Sequence, residues 1–169
     1  ISKIDEEFAK LLHNEVNLRL PKDVFFSTPL SGGIDSTILV KVIKKTIKNL
    51  KTFYAISNKG QEQIKDDDRN DMSEVSFSKY LSNKLKTEHE SVKINNNFSG
   101  NELKDASKNC FDGCVDFGVV NYSMVSKYVH KKNGKVIMFA EGPDELLGGY
   151  HADIEENKID NIFFKKKYL

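Results

Sequence analysis

One stretch near the start of the chain decides the fold: Val24-Phe25-Phe26-Ser27-Thr28-Pro29-Leu30-Ser31-Gly32-Gly33-Ile34-Asp35-Ser36-Thr37. Its first part, Val24–Ser27, is the short apolar run typical of a buried strand, and apolar residues recur at the helical period in Thr37–Ile47. Between these parts, Ser31-Gly32-Gly33 interrupts both patterns with the residue type that tolerates a tight backbone turn. The stretch therefore predicts a strand, a glycine turn and a helix in direct succession.

Strand and helix patterns continue to alternate on both sides of this stretch. A leading amphipathic helix precedes it and ends before Pro21. The apolar residues of that helix are Ile4, Phe8, Leu11, Leu12 and Val16. The elements predicted after the stretch are strands Thr52–Ser57, Glu90–Ile94 and Val136–Ala140, and helices Met72–Leu85, Glu102–Phe111, Tyr122–His130 and Asp153–Phe164. This order predicts right-handed crossovers and an α/β fold, with a mainly parallel sheet covered by helices on both faces.

Composition limits the class of ligand. At 169 residues the chain is long enough for one core, so residues 1–169 are interpreted as a single domain. Charged residues form 30% of the chain but nearly cancel to a net charge of +1, which gives no general attraction to nucleic acid or anionic lipid. No apolar run approaches the roughly 20 residues that span a bilayer, and the start lacks a secretory signal. We expect a cytoplasmic protein, with no nucleic-acid or membrane partner.

Two other features have ordinary structural interpretations. Cys110 and Cys114 are too few for a disulfide framework, and we interpret them as small buried side chains. The polar stretch Asn58–Asn70 contains three consecutive aspartates, but clustered like charges without glycine rarely form a cation cage. We interpret it as a solvated loop.

The glycine turn has the chemistry of an anion site. Where a strand runs into a helix, unpaired backbone N–H groups and the positive end of the helix dipole converge. Ser31 and Ser36 add hydroxyl donors, whereas Asp35 repels phosphate unless a divalent cation lies between them, which implies Mg²⁺. The alternative is a plain tight turn in which Asp35 or Ser36 caps the helix.

A second polar string follows the apolar strand Val136–Ala140. It reads Glu141-Gly142-Pro143-Asp144-Glu145-Leu146-Leu147-Gly148-Gly149-Tyr150. In a parallel sheet it falls at the same carboxyl edge as the glycine turn, so both strings can face one crevice. By itself it could also be an ordinary turn with Asp144 as a helix cap.

The first string resembles the pyrophosphate loop of the N-type ATP pyrophosphatases, whose fold is called adenine nucleotide α-hydrolase-like. It lacks the Gly-Lys-Ser/Thr ending of a Walker A loop. The two strings together resemble the synthetase domain of the asparagine synthetase and β-lactam synthetase group, over about Val16 to Tyr150. The resemblance implies an ATP-dependent amide ligase that converts a small carboxylate to an acyl-adenylate, releases pyrophosphate, and passes the acyl group to an amine or ammonia.

Site residues follow from the resemblance position by position. The pyrophosphate loop corresponds to Leu30, Ser31, Gly32, Gly33, Asp35 and Ser36. Asp35 and Asp144 match two magnesium-binding aspartates, and Glu141 matches a glutamate beside the reacting centre. The positions that frame adenine and ribose correspond to Pro29, Ile56, Phe139 and Ala140. Phe139 and Ala140 replace the usual Ser-Gly pair.

The chain also departs from that pattern. The glutaminase domain and a downstream lysine close to the phosphates have no counterpart here, which predicts a truncated synthetase domain, either a fragment or a subunit completed by a partner chain. The residues Phe117–Asn121 lack the arginine-containing pattern of asparagine synthetases, so the resemblance does not identify the carboxylate as aspartate.

Two alternatives stay open. One is another pyrophosphatase-loop activity, such as thiolation or the NAD and GMP synthetase type. The other is a nucleotide-binding or scaffolding module without turnover.

Overall fold

The computed structural model describes residues 3–57, 74–94, 100–109 and 118–147. The predicted loop Asn58–Asn70, the predicted helix Asp153–Phe164 and both cysteines lie outside the described residues. The chain forms two compact units, Ile1–Phe139 and Ala140–Leu169. Within the described residues, no helix is both long enough and apolar enough to cross a membrane.

The first unit alternates helices and strands as the sequence predicts. Its elements are α1 (Lys3–Arg19), β1 (Phe26–Pro29), α2 (Ile34–Thr46), β2 (Lys51–Ser57), α3 (Glu74–Leu85), β3 (Glu88–Ile94), α4 (Gly100–Ser107), α5 (Gly118–Lys131) and β4 (Val136–Ile137). The second unit begins with a short helix, α6 (Pro143–Leu147).

The described strands form a four-stranded sheet in the order β3-β2-β1-β4, and every neighbouring pair is parallel. The chain steps outward from β1 to β2 and β3, then crosses back to place β4 on the other side of β1. The strand order therefore reverses between β1 and β4, and in open parallel sheets the crevice at the carboxyl ends of such strands is where ligands bind. The glycine turn follows β1 at this point.

Helices cover both faces of this sheet, as predicted. On one face, Phe53 and Val92 pack against Val125 and Val129 of α5. On the other face, the alternate residue Thr52 lies beside His89, which contacts Ser78 of α3. The two-residue period of a strand sends successive side chains of β2 to opposite faces, so β2 is sandwiched between the two helices.

Pro29 explains why β4 is shorter than the predicted strand Val136–Ala140. Met138 N–H donates to the Ser27 carbonyl at 3.1 Å, but Pro29 has no N–H with which to continue the ladder. The Thr28 hydroxyl instead donates to the Met138 carbonyl at 2.7 Å. Regular pairing therefore ends at Ile137, and a side chain satisfies the next carbonyl.

Helices α3 and α5 end in the same backbone motif. At the end of α3, Lys86 has φ 55° and Thr87 N–H donates to the Ser82 carbonyl at 3.0 Å. At the end of α5, Asn133 has φ 65° and Gly134 N–H donates to Val129 O at 2.9 Å. Both ends are Schellman motifs, which satisfy the last carbonyls and direct the chain into the following strand.

Fewer apolar residues of the leading helix α1 are buried than its sequence pattern indicates. Val16 and Leu20 are buried, whereas Ile4 is 77% and Leu11 62% exposed. The hydroxyl of Thr46 on α2 donates to the side-chain oxygen of Asn17 at 2.6 Å. The C-terminal half of α1 therefore docks on α2, while most of its apolar residues face outward.

Candidate functional site

The predicted phosphate loop begins at Leu30, whose side chain is fully buried. Its N–H donates to the Phe53 carbonyl of β2 at 2.8 Å, and its carbonyl accepts the Ser78 hydroxyl of α3. Both backbone polar groups of the residue that enters the loop are thus bonded to different elements. This fixes the direction in which the chain leaves β1.

Gly32 and Gly33 have different geometric tasks in the loop. Gly32 has φ 93°, and an added Cβ there would lie 2.9 Å from Cδ1 of Phe77. Gly33 is the N-cap of α2 in an extended conformation and, as a glycine, has no side chain with which to cap the helix. The first N–H groups of an α-helix have no acceptor within the helix, and this makes helix starts common places for anion binding.

Two predicted hydroxyl donors lie within hydrogen-bonding distance of each other. Ser31 Oγ and Ser36 Oγ are 3.0 Å apart, and the Ser36 hydroxyl also bonds the Gly33 carbonyl at 3.2 Å. Ser36 is buried and Ser31 is exposed. Ser36 therefore shapes the loop from inside, while Ser31 is the hydroxyl that solutes reach. The alternative in which Ser36 or Asp35 is the helix cap is wrong, since that position belongs to Gly33.

Asp35 lies half-buried in the first turn of α2. Its carboxylate offers the hard oxygen ligand that Mg²⁺ prefers, next to N–H groups suited to phosphate. The described residues hold no group of three or more metal-binding side chains. Mg²⁺ is commonly held by one or two carboxylates together with substrate phosphates and water, and Asp35 is a carboxylate that this loop would offer to it.

The neighbouring strands bring Ile56 and Phe139 to the edge of the sheet where the loop lies. Pro29 pairs with Phe53, so Ile56 lies three residues further along β2 in the direction of the loop. Ser27 pairs with Ile137, which puts Phe139 level with Pro29 beyond β4. Phe139 makes an edge-to-face contact with Tyr122 of α5, with ring centroids 4.7 Å apart. These two predicted nucleotide-framing positions therefore share the edge with Pro29 and Leu30.

The remaining predicted residues, Ala140, Glu141 and Asp144, belong to the second unit. Gly142 has φ 108° and its carbonyl accepts Leu146 N–H at 3.0 Å, so α6 starts directly after it. Asp144 lies in the first turn of α6, not at its cap, and it is half-buried, whereas Glu141 is exposed. The joint action of Asp35 and Asp144 on one metal ion stays a prediction.

The sequence did not predict the residues that hydrogen-bond to the first residue of the loop or pack against its glycine. Ser78, His89 and Thr52 form a hydrogen-bonded series that ends on Leu30, and Phe77 packs against Gly32. Their only sequence signal is a serine on the inner face of a helix and a histidine in a strand. Neither pattern is specific, because both residue types are common at such positions.

A separate cavity of about 360 Å³ lies between α5 and β4. Its lining residues are Ser126, Val129, His130, Gly134, Lys135, Ile137 and Phe139. Phe139 connects it to the sheet edge described above, but its lining includes no residue of the phosphate loop. We therefore assign the candidate site to the loop edge.

Comparison with known proteins identifies the group to which these motifs belong. The family model "Asparagine synthase" matches residues 7–165. "Asparagine synthetase [glutamine-hydrolyzing] 1" of Bacillus subtilis is 33% identical over 149 residues, which cover 88% of this chain and 22% of that protein. A putative asparagine synthetase 2 of Methanocaldococcus jannaschii is 28% identical over 99% of this chain and 30% of its own length. The chain thus spans less than a third of either relative.

A solved structure supports the fold independently. The NMN synthetase from Francisella tularensis superimposes with a TM-score of 0.51 at 18% sequence identity. The match covers 86% of this chain and 58% of that chain. At this identity the likeness extends to the parallel α/β fold alone.

Proposed function

This chain belongs to the asparagine synthase family, and from that premise we propose that it carries the ATP-binding part of an amide ligase. The ligase joins a carboxylate to an amine or ammonia at the expense of ATP, which it splits into AMP and pyrophosphate. The observation that carries this proposal is the position of the Gly33-capped start of α2 at the reversal of strand order, where the first turn of the helix also contains Asp35.

The loop residues bind the triphosphate in this proposal. The first N–H groups of α2 and the Ser31 hydroxyl donate to the β- and γ-phosphates, and Gly32 and Gly33 let the phosphates approach the backbone closely. Asp35 and Asp144 would hold Mg²⁺, which when bound neutralises charge on the phosphates and so favours the departure of pyrophosphate. The backbone at Pro29, Ile56, Phe139 and Ala140 frames the adenosine half.

The chemical step needs alignment more than covalent participation by the protein. A carboxylate oxygen of the substrate attacks the α-phosphorus, the bond from that phosphorus to the bridging oxygen breaks, and pyrophosphate leaves. The amine nitrogen then attacks the acyl carbon, and AMP leaves as the C–N bond forms. Glu141 orients the amine and accepts a proton from it during this second attack.

The chain spans less than a third of the two relatives described above, so we propose that a complete reaction uses further parts. We propose that a glutaminase domain or another ammonia source, and a lysine close to the phosphates, come from a partner subunit or from further segments of a longer protein. We assign the assembly to the cytoplasm, where ATP and Mg²⁺ are available.

Isotope exchange between ATP and pyrophosphate tests the adenylation step. The chain is mixed with a panel of small carboxylates, alone and together with the products of neighbouring genes. We expect exchange that depends on one carboxylate and on Mg²⁺. The absence of exchange under every condition, despite measurable binding of magnesium–ATP, would favour the nucleotide-binding module instead.

A further inference from the structure

A series of buried and partly buried hydrogen bonds leads to the first residue of the phosphate loop. Thr87 Oγ1 lies 2.8 Å from Thr52 Oγ1, which lies 3.0 Å from Nδ1 of His89. Nε2 of His89 lies 3.0 Å from the Ser78 hydroxyl oxygen, and that hydroxyl bonds the Leu30 carbonyl. The series thus joins β2, β3 and α3 to the first residue of the loop.

The Leu30 carbonyl, the last group in the series, determines the direction of the two hydrogen bonds nearest to it. A carbonyl only accepts, so the Ser78 proton goes to Leu30 and the Ser78 oxygen must accept from Nε2–H of His89. Nε2 of His89 therefore carries a proton. Burial lowers the pKa of His89 and so favours the neutral imidazole, in which Nδ1 accepts the Thr52 proton and Thr52 accepts from Thr87.

Ser78 departs from the usual behaviour of a serine within a helix. Such a hydroxyl commonly bonds a carbonyl three or four residues earlier in its own helix, as Ser82 does with Lys79 at 2.9 Å. Ser78 is equally buried on the same helix but bonds a carbonyl 48 residues earlier in the chain. Its neighbour Phe77 contacts the position of Gly32. Helix α3 therefore touches the loop on both sides of Ser31.

We propose that Ser78 and His89 are positioning residues for the phosphate loop. By holding the Leu30 carbonyl, they set the angle at which Ser31 and the glycines reach the phosphates. Neither residue touches the ligand. This inference rests on the proposed function, because it needs the loop to bind phosphate.

The variant Ser78→Ala tests the inference, with Ser82→Ala as the matched control on the same helix. Magnesium pyrophosphate and adenosine are used as separate probes in calorimetric titrations of the full chain. We expect Ser78→Ala to weaken magnesium pyrophosphate binding about tenfold, the cost of one lost buried hydrogen bond, while Ser82→Ala changes it less than about twofold. Adenosine binding should be unchanged in both variants, because the loop holds only the phosphates.

Two histidine variants give a second route if Ser78→Ala does not fold. His89→Gln retains an N–H donor for Ser78, whereas His89→Leu removes it. We expect His89→Gln to keep pyrophosphate affinity closer to that of the wild type than His89→Leu does. The double variant His89→Leu/Ser78→Ala should have a pyrophosphate affinity little lower than that of Ser78→Ala alone, since both residues act through one hydrogen bond to Leu30.

The outcomes separate this inference from the proposed function. A wild-type chain that fails to bind magnesium pyrophosphate overturns the phosphate site itself. A wild-type chain that binds it, together with Ser78→Ala and Ser82→Ala variants of equal affinity, overturns only the positioning role. If Ser78→Ala lowers the affinities for pyrophosphate and for adenosine equally, the positioning role is also overturned, because such a result indicates a general structural defect.

Discussion

At the scale of single residues, the two loop glycines differ in what they tolerate. Gly32 has φ 93° and faces Phe77, whereas Gly33 has an ordinary φ of −65° and no contact closer than 3.4 Å for an added Cβ. We expect Gly32→Ala to lower the free energy of unfolding by about 1–3 kcal/mol through backbone strain, and Gly33→Ala by much less. Urea unfolding of both variants measures the difference. Equal destabilisation by the two substitutions would contradict this geometry.

His89 gives the chain a pH-dependent contribution to stability. Burial, and secondarily the Lys79 ammonium, lowers the pKa of His89 below its ordinary 6.5. As pH falls through 6.5 the unfolded chain takes up a proton before the folded chain does, so stability present above this pH is lost below it. We expect the difference in unfolding free energy between wild type and His89→Gln to shrink from about pH 7 to about pH 5. A difference that stays constant with pH would refute the assignment.

The sequence predicted the strand, the glycine turn and the helix correctly because these three patterns stand next to each other in the chain. It could not identify Ser78, because the hydroxyl's acceptor is 48 residues away and a helix pattern does not say which carbonyl a serine bonds. Local patterns predict local geometry, whereas contacts between distant segments depend on how the elements pack.

At the scale of elements, the ends of α3 and α5 differ in how well their residues suit the left-handed conformation. Asparagine adopts this conformation at little cost, whereas Lys86 is strained at its φ of 55°. We expect Lys86→Gly to raise the free energy of unfolding by about 0.5–1 kcal/mol, the strain relieved less the entropy that glycine loses on folding. Asn133→Gly is the matched control, and its free energy of unfolding should rise by less. Thermal unfolding of both variants checks this, and a larger gain at Asn133 would be inconsistent with it.

Element types followed the hydrophobic periods, but element boundaries did not. Helix α2 begins at Ile34 instead of the predicted Thr37, because Gly33 serves as the cap and Ile34 is 74% exposed. Strand β1 begins at Phe26, two residues later than predicted, and the preceding Val24 and Phe25 are exposed. Sequence patterns register apolar residues, so they missed the first turn of α2 and extended β1 over apolar residues that lie outside the strand.

At the scale of the whole molecule, the proposed function requires Asp35 and Asp144 to bind the same metal ion. Asp35→Asn and Asp144→Asn should each weaken binding of magnesium–ATP by about tenfold or more, and the double variant should lose less than the sum of the two free energies. Calorimetric titration with and without Mg²⁺ measures this coupling, and Glu145→Gln serves as an acidic control in the same helix. Strict additivity would mean that the two aspartates act separately.

The reversal of strand order also determines how this protein reaches its native state. Strands β1, β2 and β3 join neighbours along the chain, whereas Phe26 pairs with Val136 only after a loop of about 110 residues has closed. Pairings so remote in sequence form late, because the entropy of closure must be overcome before any contact offsets it. We therefore expect the crevice between β1 and β4 to be the last part of the sheet to assemble. Under the proposed function, a newly made chain would gain affinity for nucleotide only at this final stage.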